Sequence, residues 1–412
     1  MDKSVSFRKG ACIHLTEINL NMYHAVALGA VMYWLGNVLT RKITILSRFC
    51  IPAPLVGGLT FAILNTILYA SGIAFVTFDN TLETVFMVMF FTTVGFTVSI
   101  PLLMKGGKAV LLLLGLSIVM IVLQNGLGGA VMALMGKSPL YGIGCGSVAL
   151  VGGPGTAAAI GPDLEAAGAV GARAVSIAAA TFGLAAGSLM GGPTARLLIN
   201  KNNLQCKAVA VADGEMAELE PEHFTSTSNR FIKGFMFIVL CVGIGNWVSA
   251  RLTEFCGFSF PAYIGAMLVA VVVRNVADGI HTEYPGEEIE TMGNMFLSIF
   301  LSMALSGLKL WQLVDLALPM IVCLALQVML MFLFCYFLVF RFMGRDYDAA
   351  VMTAGFIGFG MGATSNAMAN MQALTKRYGP SPTAFFAVPM VGGLFIDFFN
   401  AAMIAFNIGL WS

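Results

Sequence analysis

Val148-Ala-Leu-Val-Gly-Gly-Pro-Gly-Thr-Ala-Ala-Ala-Ile160 is a glycine cluster inside an apolar surround, and it decides the fold. A second cluster, Ala354-Gly-Phe-Ile-Gly-Phe-Gly-Met-Gly-Ala-Thr-Ser-Asn366, follows half a chain later. Each glycine in a helix interior costs up to about 1 kcal/mol relative to alanine, and Pro154 also removes a backbone donor. Both stretches therefore predict interrupted helices.

Interrupted helices have a specific meaning inside a bilayer. Broken backbone survives there only where protein or a water-filled cavity satisfies its N–H and C=O groups. Paired breaks at matching positions of two halves point to the binding site of a transporter. Close helix packing through small residues is the alternative reading. Close packing does not require glycines at alternate positions followed by Thr and Asn. We therefore favour broken segments.

The composition is that of a membrane protein. The 412 residues are 58% hydrophobic and 10% charged, whereas globular domains carry roughly 25% charge. The formal net charge of +1 argues against nucleic acid as a partner. The eight cysteines form no CxxC pair, which favours small hydrophobes over disulfides or a metal site. Without a nucleophile–base pair, a P-loop or a dinucleotide fingerprint, nothing supports an enzyme, an ATP-driven pump or an organic cofactor.

The apolar residues fall in runs near the roughly 20 residues that a helix needs to cross a bilayer. A polar tail occupies 1–21 and a polar cytoplasmic linker 200–230. The first half has candidate spans at 22–40, 52–72, 82–100, 109–135 and 169–199, with a broken segment at 139–161. The second half has spans at 231–250, 260–280, 290–308, 313–340 and 381–407, with a broken segment at 347–372. The first run resembles a signal peptide, but no A-x-A site follows and Arg41 and Lys42 close it, so we interpret it as a span.

Short motifs recur about 207 residues apart, which indicates an internal duplication into 22–199 and 231–412. Leu82-Glu-Thr84, for example, matches Ile289-Glu-Thr291. Five spans is an odd number, so the second half enters the membrane in the opposite orientation. With both termini outside, about two thirds of the 22 Lys and Arg residues lie inside, as the positive-inside rule requires. The predicted fold is an all-α polytopic membrane protein made of two inverted repeats, each with five transmembrane helices and one re-entrant segment.

In this topology the two broken segments enter from opposite faces, and their tips meet near the bilayer midplane. There the positive end of a half-helix can hold an anionic group, while freed carbonyls coordinate a cation. Bonding of the Thr and Ser hydroxyls to their own helices is the alternative role. The candidate substrate-binding residues are the glycines and the polar residues after them: Gly153, Gly155, Thr156, Gly360, Gly362, Thr364, Ser365 and Asn366.

Asp397 is the strongest single candidate for a functional residue, because an unpaired carboxylate in the middle of a membrane span costs several kcal/mol. Oxygen ligands suit a hard cation, so Asp397 and Asn400 are candidate Na⁺ ligands. A structural ion pair of Asp397 with Arg173 or Lys309 is the alternative. Thr181 is a further candidate for lining the pathway and binding the ion. Capping a close helix contact is its alternative role. Interhelical hydrogen bonds are the predicted role of three mid-span amides: Gln124, Asn125 and Gln327.

At these residues the chain resembles the bacterial glutamate–sodium symporter family. The GGxGxG-type motif of the family is matched by Gly152-Gly-Pro-Gly-Thr-Ala157, and a second motif by Gly358-Phe-Gly-Met-Gly-Ala-Thr364. The resemblance adds Asn370 to the candidate site. It implies a homodimer in the bacterial inner membrane, with both termini outside. It further implies Na⁺-coupled uptake of L-glutamate or a close amino dicarboxylate by elevator-like alternating access.

The sequence departs from the family pattern near the candidate site. Pro154 stands where a member of the family has His, and Ala157 replaces the last glycine of the first motif. Thr97 and Ser99 stand where the pattern has Asn. The class of transporter is therefore better supported than the substrate. A transporter of another organic anion, such as a di- or tricarboxylate, is the alternative, and an ion channel is a more distant one.

Overall fold

The computed structural model describes residues 16–49, 51–105, 107–206, 228–256, 260–280 and 284–411. Most of the predicted tail and of the predicted linker lies outside these ranges. Within them the chain is almost entirely helical, as predicted.

Nineteen α-helices occupy the described residues, together with two short strands, one 3₁₀-helix and two π-helical segments. The strands are β1 (Thr16–Leu20) and β2 (Ala74–Phe78). The helices of the first half are α1 (Met22–Lys42), α2 (Thr44–Arg48), α3 (Ala53–Ala70), α4 (Thr81–Thr97), α5 (Ile100–Lys105), α6 (Gly107–Leu134), α7 (Pro139–Gly144), α8 (Ser147–Leu150), α9 (Gly153–Ala166) and α10 (Ala172–Lys201). Those of the second half are α11 (Ser228–Cys256), α12 (Ala262–Gly279), α13 (Gly286–Ser306), α14 (Ala317–Phe334), α15 (Phe340–Phe342), α16 (Tyr347–Gly360), α17 (Thr364–Tyr378), α18 (Pro382–Met390) and α19 (Ile396–Trp411). The 3₁₀-helix is Leu310–Leu316, and the π-helical segments are Cys335–Val339 and Val391–Phe395.

The membrane spans follow the prediction closely. Nine stretches of described helix are long and apolar enough to cross a bilayer, and each coincides with a predicted span. The tenth predicted span, 82–100, is the shorter apolar helix α4, which ends at Thr97. Beyond this end, the side chain of Asn275 in α12 satisfies two backbone groups. It accepts from Ile100 N at 2.8 Å and donates to Val98 O at 2.9 Å. The molecule is a polytopic α-helical membrane protein.

The boundaries of α3 and α12 have the same local cause in both halves of the chain. Pro52 and Pro261 precede these helices in extended conformations, and both helices are 18 residues long. A proline ring pre-sets the backbone dihedral for helix entry and needs no backbone donor. Pro52 and Pro261 therefore mark two helix starts of the same kind.

A small parallel sheet was not predicted. Strand β1 pairs with β2, with Thr16 opposite Ala74 and Leu20 opposite Phe78. Asn65 of α3 bonds both backbone groups of Val76, accepting from its N–H at 2.8 Å and donating to its carbonyl at 3.1 Å. The Asn65 amide therefore supplies the hydrogen bonds that a neighbouring strand would otherwise make to the backbone of Val76 at this sheet edge. After β2, the hydroxyl and backbone N–H of Thr81 donate to Asp79, which lowers the pKa of this carboxyl.

The spanning helices pack in two groups, which we call the first and second helix groups. The first group contains α1, α3, α4, α11, α12 and α13. The second group contains α6 to α10, α14 and α16 to α19. Each group takes helices from both halves of the chain, so the predicted sequence repeats are interleaved in space. Contact between the groups is narrow, and it runs chiefly through α9 with α13 and through α4 and α12 with the last span.

Candidate functional site

The first break lies in the second helix group between α7 and α9. Helix α7 ends at Gly144, the single turn α8 follows, and α9 begins at Gly153. Gly153 has φ +65°, in the left-handed region where a side chain is strained. The break therefore needs glycine at this position. The helix continues to Ala166, five residues beyond the predicted end of the segment at 161, despite Pro162 inside it.

The second break separates α16 from α17. Helix α16 ends at Gly360, and α17 begins at Thr364 after the extended residue Ala363. Gly358 lies so close to the backbone of Ala367 that a Cβ would clash with it. Helix α17 continues to Tyr378, beyond the predicted boundary at 372. Both breaks thus consist of a helix end, a short turn and a new helix start.

The two breaks touch, and we call their contact the junction. A Cβ on Gly153 would lie 3.1 Å from the carbonyl oxygen of Gly362. Asn366, at the start of α17, donates to Leu184 O of α10 at 2.8 Å, and it is fully buried. Helices α9 and α17 both begin here, so two positive helix ends lie side by side. The N-terminal N–H groups of such ends bind anions.

Helix α6 holds both breaks in place. Asn125 accepts from Ser147 N at the start of α8 at 3.0 Å, and Gln124 donates to Gly360 O at 3.0 Å. Gln327 of α14 donates in turn to Gln124 O at 2.7 Å. Freed backbone groups are thus satisfied by side chains from neighbouring spans, as a bilayer requires. The predicted interhelical hydrogen bonds of these three amides are confirmed.

Two candidate residues leave a buried oxygen without a hydrogen-bond partner among the described residues. The amide nitrogen of Asn366 donates to Leu184 O, and that of Asn400 donates to Ser147 O at 3.1 Å. Each donor bond fixes the orientation of its amide, so the Oδ1 atom points elsewhere and has no donor. A buried acceptor without a partner costs about 1–3 kcal/mol. A bound cation would satisfy it.

The π-helical segment before α19 presents two carbonyls that accept hydrogen bonds from threonine side chains, and Asp397 follows this segment. Thr364 donates to Gly392 O at 2.7 Å, and Thr97 of α4 donates to Leu394 O at 3.0 Å. A π-helical turn displaces backbone bonds, which makes such carbonyls available to side chains. Asp397 follows in the first turn of α19 and makes no ion pair within the described ranges. Arg173, the alternative partner considered for Asp397, is paired with Glu83 of α4 instead.

The remaining candidates divide between the junction and other contacts. Thr156 is buried beside Gly152, while Ser365 is exposed. Gly155 faces the first helix group, where a Cβ would lie 3.1 Å from Leu297 of α13. Asn370 donates to Gly187 O at 3.0 Å and ties α17 to α10. Thr181 donates to Ile177 O at 2.9 Å within its own helix, α10.

Three participants in this arrangement were absent from the candidate set. Ser147 is contacted by Asn125 and Asn400, and Thr97 links α4 to the π-helical segment. The carbonyl of Leu394 has no sequence signal, because every residue carries one. Thr97 was noted only as a departure from the family pattern. Ser147 follows Gly146, and that glycine was the available signal for an extra break.

These features define a class of protein: a multi-pass α-helical membrane protein whose buried centre is built from two broken helices and unpartnered oxygens. The family profile of sodium/glutamate symporters matches residues 18–380. The chain is 38% identical over 395 residues to a sodium/glutamate symporter of Haemophilus influenzae, covering 93% of this chain and 96% of that protein. It is 39% identical over 374 residues to a sodium/glutamate symporter of Escherichia coli, covering 90% and 93%. The chain belongs to the sodium/glutamate symporter family.

Proposed function

We propose that the protein imports L-glutamate, or a close amino dicarboxylate, together with Na⁺ across the bacterial inner membrane. The observation that carries the proposal is the junction, where two positive helix ends meet beside the unpartnered amide oxygen of Asn366. The helix ends attract a carboxylate, and the oxygen suits a hard cation. Family membership supports the same pairing of solute and ion, since the relatives are named sodium/glutamate symporters.

Each ligand has a candidate set of residues. The substrate would contact the two helix starts, through Gly153, Gly155 and Thr156 on one side and Gly362, Thr364 and Ser365 on the other. Asn366 Oδ1, Asn400 Oδ1 and the carboxylate of Asp397 would bind Na⁺. An anion and a cation in neighbouring sites stabilise each other electrostatically inside a low-dielectric protein. Such mutual stabilisation is the thermodynamic basis of coupling, because each ligand then raises the affinity for the other.

The exposed face of α17 supports a water-filled route to the junction. Its exposed residues are Ser365, Ala369, Gln372, Ala373, Lys376 and Arg377, which lie on one side of the helix. No large hydrophobic residue is exposed on α17, whereas α14 exposes Leu318, Ile321, Met329 and Leu333. A lipid-facing helix exposes large apolar side chains, so this face suits water and solute better than lipid.

The division into two helix groups supports an elevator-like movement of one group against the other, with both inverted repeats contributing helices to each group. Each group combines the first three or the last spans of both halves, and the junction lies wholly within the second group. Alternating access then requires the second group to slide past the first across their narrow contact. This proposal also has both termini outside, as the distribution of Lys and Arg and the family resemblance imply, and a homodimer, as the resemblance implies.

The decisive experiment is uptake of labelled L-glutamate into proteoliposomes with and without an imposed Na⁺ gradient. We expect accumulation only when Na⁺ is higher outside, and saturation with glutamate concentration. Uptake that ignores the Na⁺ gradient would contradict the coupling. Unitary currents without saturable counterflow would indicate a channel.

Competition separates the substrate alternatives. Aspartate, citrate and malate are added in excess to the same assay. Inhibition by aspartate alone fits an amino dicarboxylate. Stronger transport of citrate or malate than of glutamate would establish the di- or tricarboxylate alternative, which the departures at Pro154 and Ala157 keep relevant.

A further inference from the structure

A polar cavity lies far from the junction, at the boundary of the two helix groups. It has a volume of about 220 Å³, and its polar lining includes Thr77, Asn80, Glu165, Arg173, Lys309 and Gln312. None of the junction residues lines it. Glu165 is near the end of α9, so the cavity lies about 18 Å along this helix from Gly153.

The cavity has room for a small molecule only. Its volume far exceeds the roughly 10–15 Å³ that one water needs, yet it stays below the about 300 Å³ at which pockets for drug-sized ligands begin. A small organic acid fits this range, and a peptide does not.

Arg173 is the buried cation of this cavity, and protein groups satisfy it incompletely. Its guanidinium pairs with Glu83, and 11% of its side chain remains exposed. The Nε atom has no acceptor among the described residues. Five N–H groups of an arginine can donate, so one carboxylate leaves capacity for a second.

Lys309 supplies a second positive charge from the opposite helix group. It is exposed, and it forms no ion pair within the described ranges. Glu165 supplies a negative charge and accepts from Arg173 N at 3.2 Å. The residues that line the cavity therefore include two cations and one carboxylate, and Glu83 offsets part of the Arg173 charge. An amino dicarboxylate carries the complementary set, with two carboxylates and one ammonium group.

We propose that this cavity is a second binding site for an α-amino dicarboxylate, which bridges the two helix groups. One ligand carboxylate would bind Arg173 and the other Lys309, while Glu165 would accept from the ammonium group. Charge-assisted bonds of this kind are about twice as strong as neutral ones. Lys309 follows α13 of the first group, whereas Arg173 and Glu165 belong to α10 and α9 of the second. Occupancy would therefore hold the groups in the present arrangement.

The test is equilibrium binding of labelled L-glutamate to the purified protein in nanodiscs without Na⁺. We expect a Na⁺-independent component of binding. Lys309→Ala should weaken this component at least tenfold, and Lys309→Arg should restore it. Glu165→Gln should weaken it as well. The matched control is Arg251→Ala, which removes an exposed arginine that pairs with Glu254 and does not line the cavity.

Two further measurements distinguish binding at this cavity from binding at the junction. Asn366→Ala alters the junction, and it should leave the Na⁺-independent component unchanged. Excess malate, which lacks an ammonium group, should displace the label at least tenfold less well than aspartate. The proposal fails if no Na⁺-independent binding is found, if Lys309→Ala has no effect, or if Asn366→Ala abolishes the component. Because the readout is binding without Na⁺, a failure of Na⁺-driven uptake would leave it standing.

Discussion

Asn366 and Asn400 each perform two tasks with one amide group. The nitrogen of each side chain donates to a backbone carbonyl of another helix, and the oxygen is left without a donor among the described residues. Aspartate at either position could not donate to the carbonyl, and leucine would offer neither bond. The two residues therefore tie the breaks to neighbouring helices, and each leaves an oxygen that our proposal assigns to Na⁺.

Asp397 is the candidate ligand with a full negative charge, and its role can be isolated. Asp397→Asn keeps the shape and removes the charge, so we expect the half-saturating Na⁺ concentration to rise about tenfold or more, equivalent to about 1.4 kcal/mol. Na⁺-dependent uptake measures it. Asp278→Asn is the matched control, because that carboxylate already accepts from Ser99 at 2.6 Å and Arg274 at 3.2 Å. Equal Na⁺ dependence in Asp397→Asn and wild type would remove Asp397 from the ion site.

Gly153 tests the contact between the breaks. Gly153→Ala places a side chain in left-handed backbone, which costs about 1–2 kcal/mol, and it presses a methyl group toward Gly362 O. We expect a lower thermal unfolding temperature in detergent and a large loss of uptake. Gly115→Ala in α6 is the control, because nothing lies within 4 Å of the added methyl group there. A Gly153→Ala variant as stable and active as the Gly115→Ala variant would contradict the junction.

Sequence reasoning located these residues but not their bonds. Glycine and proline mark a break by their own chemistry, so Gly153 and Gly362 were identifiable. The partner of a buried side chain depends on helices that are distant in sequence. Glu83 was therefore not recognised as the partner of Arg173, although Glu83 lies at the start of a predicted span.

At the scale of elements, α6 is the helix on which both breaks depend. Adjacent residues Gln124 and Asn125 contact opposite breaks, so one rigid span sets the distance between them. Its length and apolarity made the span predictable. The strands were not predictable, because β1 and β2 pair across more than fifty residues and each is only five residues long. An isolated strand of that length has no local stability signal.

The exposed face of helix α17 is predicted to be accessible to water. Ala369→Cys and Ala373→Cys place thiols on its exposed face, where water would keep part of the thiol ionised and reactive. We expect a charged, membrane-impermeant thiosulfonate, applied to both sides, to label them at least tenfold faster than Met329→Cys and Leu333→Cys on the exposed face of α14. Labelling rates are taken relative to the parent protein, which has eight cysteines of its own. Equal rates on α17 and α14 would place the α17 face in lipid or in a protein contact.

At the scale of the whole molecule, the two halves of the chain are interleaved. Sequence periodicity predicts that similar segments recur, but it does not say which of them pack together. The packing puts the breaks and their supporting spans in one helix group and the remaining spans in the other. Few polar bonds cross between the groups, and the Glu83–Arg173 pair and the Thr97–Leu394 bond are two of them. A sliding movement must break both, and a buried ion pair costs about 3–5 kcal/mol when one partner is lost.

A reversible cross-link across this boundary tests the movement. Gly155→Cys with Leu297→Cys places two thiols at the contact of α9 with α13, where a Cβ on Gly155 already approaches the Leu297 side chain at 3.1 Å. We expect oxidation to stop the glutamate uptake that the reduced double variant retains, and reduction to restore that level, because the disulfide joins the two groups. The two single variants are the controls. Uptake by each of them, with and without oxidation, shows the effect of its substitution and of oxidising the native cysteines. A cross-link between Ser99→Cys and Asp278→Cys, which joins the segment after α4 to α12 of the same group, should leave uptake no more sensitive to either treatment than in the parent protein. If the oxidised Gly155→Cys and Leu297→Cys protein still transports at the rate of its reduced form, the two groups do not move past each other at this contact.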